Sequence, residues 1–265
     1  GFCKAHAAAF ALPTYQSAWL KTHHPAAFIA GVLTHDPGMY PKRLLLADAR
    51  NLGIEILPLD VNFSKETYQI ENLSAPELQS AAGVDLGIAP AAKHGIRISL
   101  AQISGINSAE LTQIVSGQPY ASLSDFWDRS HVSRPVAENL IKLGGFDLLH
   151  GVGNAKSKSS LTRRDLLLQL ADLYKFNTKK TATAQLSFEV NPIDATLATG
   201  LLEMSKAEQV QTELKVLGID STAHALSFYH DFLAELATEI NLVSSLNLLK
   251  QRSNAVVYTA GVKVA

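Results

Sequence analysis

Residues 98–115 read Ile98-Ser99-Leu100-Ala101-Gln102-Ile103-Ser104-Gly105-Ile106-Asn107-Ser108-Ala109-Glu110-Leu111-Thr112-Gln113-Ile114-Val115. Ile98, Leu100 and Ile103 make an apolar approach, Gly105 breaks it, and Leu111, Ile114 and Val115 recur at helical spacing beyond the break. Glycine is the residue that turns a chain sharply without steric penalty. Asn107 and Glu110 stand three apart, the spacing of a helix start whose cap and third residue bond each other reciprocally. The stretch therefore predicts helix, glycine turn, helix.

A related half follows it. Ser133, Arg134 and Pro135 open a helix carrying Val136, Leu140, Ile141 and Leu143, which Gly144-Gly145-Phe146-Asp147-Leu148-Leu149 closes. Ser133 suits a cap and Pro135 the first turn. Leu123-Ser124-Asp125-Phe126-Trp127, between the two halves, is a further apolar helix start. The pattern resembles a helix-hairpin-helix, in which a glycine turn lets backbone N–H groups approach a DNA phosphate. Candidate DNA-binding residues are Gly105, Ile106, Asn107 and Ser108 in the first half, and Ser133 and Arg134 in the second. Asn107 stands where that motif usually has its second glycine. Spacing alone equally describes a small helical hairpin that only packs.

Outward from this block, the N-terminal stretch Gly1-Phe2-Cys3-Lys4-Ala5-His6 opens an Ala-rich helix that continues to Trp19-Leu20-Lys21. A helix start carries unpaired N–H groups and about half a positive charge, so Lys4 and His6 there form a candidate phosphate site. The bland alternative is a solvated helix end. Pro13 should bend this helix, because its ring clashes with the carbonyl four residues earlier. Pro25 separates a second helix, and Pro41 opens a third on Leu44, Leu45, Ala49 and Leu52 that Gly53 ends. Ile54–Leu57 and Thr67–Ile70 read as short strands, and residues 74–93 as a loop.

Beyond the hairpins, residues 151–180 hold five more positive than negative side chains, with Lys156, Lys158, Arg163 and Arg164 the candidate contacts to a DNA backbone. Residues 177–200 read as linker. A helix over residues 204–217 on Val210, Leu214 and Leu217 comes next, and the alternating run Val256–Val264 reads as a strand that needs partners.

Composition narrows the possibilities. Formal charge is −1, so no whole-molecule basic field points to nucleic acid and any such contact is local. Cys3 is the one cysteine, which excludes a disulfide framework or a cysteine metal site and fits a cytoplasmic setting. There is no membrane-length apolar run, His-Glu-x-x-His or Walker-type loop. Gly1 at the start and a strand-like end suggest an internal piece of a longer chain.

Taken with Tyr15-Gln16-Ser17-Ala18-Trp19-Leu20-Lys21 and His24-Pro25-Ala26-Ala27-Phe28, the N-terminal stretch resembles the fingers of bacterial family C DNA polymerases, the polymerase III alpha subunits. The tandem hairpin block resembles the module that follows those fingers. Glu213-Leu214-x-x-Leu217-Gly218 with His224 and Leu226 resembles the helix that leads into their oligonucleotide-binding barrel. Asp36-Pro37-Gly38-Met39-Tyr40 and the wording around Lys4 look closer to the error-prone, damage-tolerant branch.

The resemblance implies a mainly α chain divided as the end of the fingers (1–62), a connecting segment (63–95), a tandem helix-hairpin-helix module (96–149), a basic helix and linker (150–203), and a helix leading into a truncated OB-fold (204–265). It implies nucleotidyl transfer by the parent protein in translesion synthesis, with Lys4 and His6 on the incoming dNTP and duplex primer-template on the hairpins. Mg ions would sit on palm aspartates outside this chain, which leaves this segment without catalytic or metal residues and inactive alone. A sliding clamp and mutagenesis accessory proteins are the implied partners, with no membrane. A non-catalytic helix-hairpin-helix repair module is the alternative.

Overall fold

In the computed structural model the described residues are 3–36, 38, 40–73, 93–153, 161–182 and 198–262. The chain is mainly α. Helices α1 (Lys4–His23) and α2 (Pro25–His35) are consecutive, with Pro25 at the first position of α2, where its missing N–H costs nothing. Ala26, Ile29, Ala30 and Leu33 form the buried stripe of α2 at helical spacing. Helix α1 has no buried residue, and it runs unbroken through Pro13.

Helix α3 (Lys42–Asn51) buries Leu46 and Ala49, while Leu44 faces solvent. Its inner face is thus set by Leu46 and Ala49, with Leu45 packed half-buried beside them. Gly53, at φ 76°, turns the chain into β1 (Glu55–Leu57). Strands β2 (Gln69–Asn72) and β3 (His94–Arg97) complete a three-stranded sheet in the order β1-β3-β2. Strand β3 is parallel to β1, with Ile56 beside Ile96, and antiparallel to β2, with Ile70 beside Ile96.

The first arm of the hairpin differs from the expected helix. Ile96 lies on the central strand and Ile98 just beyond its end, both buried, and Leu100–Gln102 make one 3₁₀ turn capped by the Ser99 hydroxyl. Helices α4 (Ser108–Gly117), α5 (Leu123–Ser130), α6 (Arg134–Lys142) and α7 (Asp147–His150) follow. Phe126 packs edge-on against both Tyr120 and Phe146, all three buried.

Helix α8 (Arg163–Ala182) extends six residues into the stretch read as linker. Helix α9 (Lys206–Val216) buries Val210, Glu213 and Val216. Glu213 belongs on that face because its carboxylate accepts the Ser221 and Thr222 amides at 2.8 and 3.0 Å, tying down the turn that follows the helix. Leu214 is only half-buried.

One continuous apolar core joins α2, α3, the sheet, the hairpins, α8 and residues 216–219. Backbone bonds knit it: Val61 N–H donates to Gly145 O and Ser104 N–H to Val216 O. Asn62 and Tyr120 exchange side-chain amide and backbone bonds at 2.9 and 2.7 Å.

Helices α10 (His230–Glu239) and α11 (Ser245–Leu248) lie outside this core, and α10 buries no residue. The expected strand over 256–264 is, in its described part, extended chain with one bridge, Tyr258 to Leu242. With no further strand beside it among the described residues, alternation alone makes no ladder.

Candidate nucleic-acid interface

Gly105 sits at φ 86°, and a Cβ built on it would meet nothing within 4 Å. The backbone angle demands glycine here, and the turn faces open space. Asn107, by contrast, is extended at φ −104°, so no second glycine is needed. Its side chain accepts the Glu110 amide at 3.0 Å, and the Glu110 carboxylate accepts the Asn107 amide at 3.1 Å, the reciprocal cap that the spacing foretold.

Glu110 does more than close that box. One carboxylate oxygen, Oε2, takes the Asn107 backbone and side-chain amides, and the other, Oε1, takes the Ser133 amide at 2.8 Å. Ser133 is the residue before α6, so one buried carboxylate fastens the starts of α4 and α6 together. Burial alone would raise the Glu110 carboxyl, but bonds from the Ser133 side chain and amide and from the Asn107 amide outweigh it and hold the group below the usual carboxylate range. Asn139 on α6 reaches back to the Ser104 carbonyl at 3.4 Å.

The two expected turns thus meet through Glu110, which joins Asn107 of the first to Ser133 of the second. The amides of Ser108 and Ala109, at the first turn of α4, have no acceptor among the described residues. The Ser133 side chain makes no capping bond to the amides of α6, although it stands where a cap was expected. Arg134 is 43% exposed, pairs with Glu138 at 2.8 Å, and lies 5.1 Å from the centre of the Tyr174 ring. That ring, contributed by α8, holds the guanidinium at the mouth of α6.

The remaining candidates are placed less uniformly. Lys4 and His6 are exposed on the first turn of α1, and the His6 ring lies tilted against that of Phe10. No side chain caps α1, and the amides of His6 and Ala5 pull the exposed Cys3 thiol below its usual range, a mark of the positive helix start. Lys156 and Lys158 lie outside the described residues.

Arg163 is a correction: its guanidinium points inward, donating to Asp147 at 2.7 Å and to the Lys142 carbonyl at 2.9 Å, with 11% of the side chain exposed. Gly144 makes room for it, since a Cβ there would lie 2.4 Å from Arg163 Nη2. Its donors are spent on joining α8 to α7. Arg164 stays at the surface, paired with Glu208 at 3.0 Å.

Sequence reasoning missed the bond from Glu110 to Ser133 and the platform under Arg134. The first joins residues 23 apart. The second brings α6 and α8 together across the core, and no local spacing encodes either. Among the described residues no group of three or more His, Cys, Asp or Glu side chains is placed to hold a metal ion, and no helix is long and apolar enough to cross a membrane.

Comparison with known proteins converges on this block. A family described as helix-hairpin-helix motif matches residues 53–157, which takes in the sheet, both hairpin halves and the turn after α7. The chain is 34% identical over 181 residues to an error-prone DNA polymerase of Symbiobacterium thermophilum, covering 65% of this chain and 16% of that protein. It is 36% identical over 169 residues to the error-prone DNA polymerase of Methylococcus capsulatus, 60% of this chain and 16% of the relative. With that of Sinorhizobium medicae it shares 29% identity over 236 residues, 87% of this chain and 20% of the relative. The chain thus spans a fifth or less of these relatives. The resemblance read from the sequence, to family C polymerases on their error-prone side, is borne out by these matches.

Proposed function

We propose that this chain is a segment of an error-prone bacterial family C DNA polymerase, and that its own task is to hold duplex DNA by phosphates at the paired starts of α4 and α6. The observation that carries this is the junction made by Glu110, which sets two helix starts side by side within a stretch matching the helix-hairpin-helix motif. Helix starts favour anions through their N–H groups and dipole, and contacts of this kind position DNA without reading its sequence. Arg134, on its aromatic platform, adds a charge to the same edge.

In this reading the parent protein transfers nucleotides from dNTP to a primer end, across damaged template. Lys4 and His6 on α1 receive the triphosphate, their exposure and the uncapped helix start supporting that role. In the same reading the Mg chemistry belongs to another part of the parent, and this segment is inactive alone. Arg164, Lys156 and Lys158 extend the backbone contacts. The sliding clamp and mutagenesis accessory proteins act through the parent.

Titration of a labelled duplex with the 265-residue chain tests the DNA reading. Binding should be indifferent to sequence and fall steeply between about 50 and 200 mM salt. No binding at the lower salt would contradict it. In the full-length polymerase, Lys4→Ala should raise the Michaelis constant for incoming nucleotide more than it weakens DNA binding. Loss of DNA affinity alone would remove Lys4 from the triphosphate site.

A further inference from the structure

We infer that Glu110 is a positioning residue for DNA, a buried anion that holds the two phosphate-facing helix starts in one fixed arrangement and touches no DNA itself. The inference rests on the DNA-holding reading above and deepens it.

The chemistry of the junction leads here. A carboxylate is an acceptor with two oxygens, and at Glu110 both are used: Oε2 by Asn107 and Oε1 by Ser133. Glu110 is 7% exposed, so these bonds act in a medium of low dielectric where charge-assisted pairs are strong. The amides it takes belong to the residues just before α4 and α6. Those at the first turns, Ser108 and Ala109 in α4 and Arg134 and Val136 in α6, have no acceptor among the described residues. Pro135 contributes no donor to α6 and the Glu110 amide of α4 is taken by Asn107, so each first turn presents two amides. A site with so few donors on each helix gains from having both helices fixed.

A simple electrostatic view makes the opposite prediction. A negative charge beside a phosphate site repels DNA, so removing it should tighten binding. Positioning says that removing it weakens binding, because a neutral amide can accept at only one of its two ends and must release either Asn107 or Ser133. If the paired arrangement is then held in about one molecule in ten, affinity falls about tenfold.

The experiment compares Glu110→Gln with the unaltered chain in duplex binding across salt, together with amide hydrogen exchange. The expected result is affinity lower by about tenfold, an unchanged slope of log affinity against log salt because no phosphate contact is lost, and faster exchange at Asn107 or Ser133 with core amides such as Leu140 and Phe146 unaffected. Arg134→Ala provides the contrast, lowering that slope by about one. Affinity that is equal or tighter in Glu110→Gln overturns the inference. So does exchange that quickens throughout the core, which marks a general loss of folding.

Asn107→Ala, which breaks the α4 cap and leaves the Ser133 bond, gives a second route. Combined with Glu110→Gln it should cost less than the two effects added, since both act on one junction. Full additivity overturns the inference. If the unaltered chain does not bind duplex DNA, the underlying reading fails first, and that failure is visible without any variant.

Discussion

Two helix starts in this molecule are candidate phosphate sites by sequence and differ in nearly every physical respect. The start of α1 carries Lys4 and His6 on a helix with no buried residue and no side-chain cap. The start of α4 carries no lysine or arginine on its first turn, yet it is capped reciprocally, fastened to α6 and backed by the core. Charge marks the first, and construction marks the second. An anion site assembled from neighbouring elements has its geometry fixed beforehand and owes less to the side chains at its mouth. A charged but isolated start needs something opposite it to supply the other half.

Substitutions that separate construction from charge test this difference. The largest effect should come from the framework: Leu140→Ala, in the fully buried face of α6, should cost about 2–5 kcal/mol in denaturant unfolding. Its counterpart Leu20→Ala, on the exposed α1, should cost less than about 0.5 kcal/mol. Equal costs would mean that α1 is packed as firmly as α6. Next comes Gly105→Val, which forces a branched side chain into the left-handed region at a cost of about 1–2 kcal/mol. Because the space around Gly105 is open, relief by repacking is excluded, and DNA affinity should fall with stability.

Smaller again is the cap. Asn107→Ala should lose about 1 kcal/mol, the usual worth of a helix cap. Cys3→Ala, at the corresponding position of α1, should cost less than that, because a thiol facing the first-turn amides is a weaker acceptor than an amide oxygen. Thermal unfolding of the two variants side by side checks the contrast.

The smallest effect is a pH dependence confined to the hairpin block. His150 accepts the Leu123 amide at 3.2 Å, and burial holds its imidazole below the ordinary value of 6.5. The unfolded chain therefore takes up this proton first as pH falls. The contribution of His150 is fully present above its ordinary value and is lost as pH drops toward the folded one. Thermal midpoints measured from pH 7.5 down to 5.5 should decline, and His150→Gln should remove that part of the slope.

Much of this arrangement was legible in the chain, and the parts that were not share a cause. Gly105, the Asn107–Glu110 cap and the prolines that open α2 and α6 act within a few residues of themselves, so their spacing announced them. The first hairpin arm was misread because Ile98 and Leu100 suit either period. The sheet claimed the isoleucine, and Ser99 left only a 3₁₀ turn for the leucine. Arg163 looked like a basic surface residue because its partner, Asp147, is brought near only by the packing of α8 on the hairpins. The Ser133 bond to Glu110 was hidden for the same reason. Local chemistry shows in sequence, and chemistry shared between elements waits for the fold.

The central claim is that duplex DNA is held at the joined starts of α4 and α6. Amide hydrogen exchange of the 265-residue chain with and without a duplex, at low salt, tests it residue by residue. New protection is expected to concentrate at Ser108, Ala109, Arg134 and Val136, with little change along α1. Protection confined to the α1 start around Lys4 and His6, or none at the hairpins while DNA is bound, would contradict it.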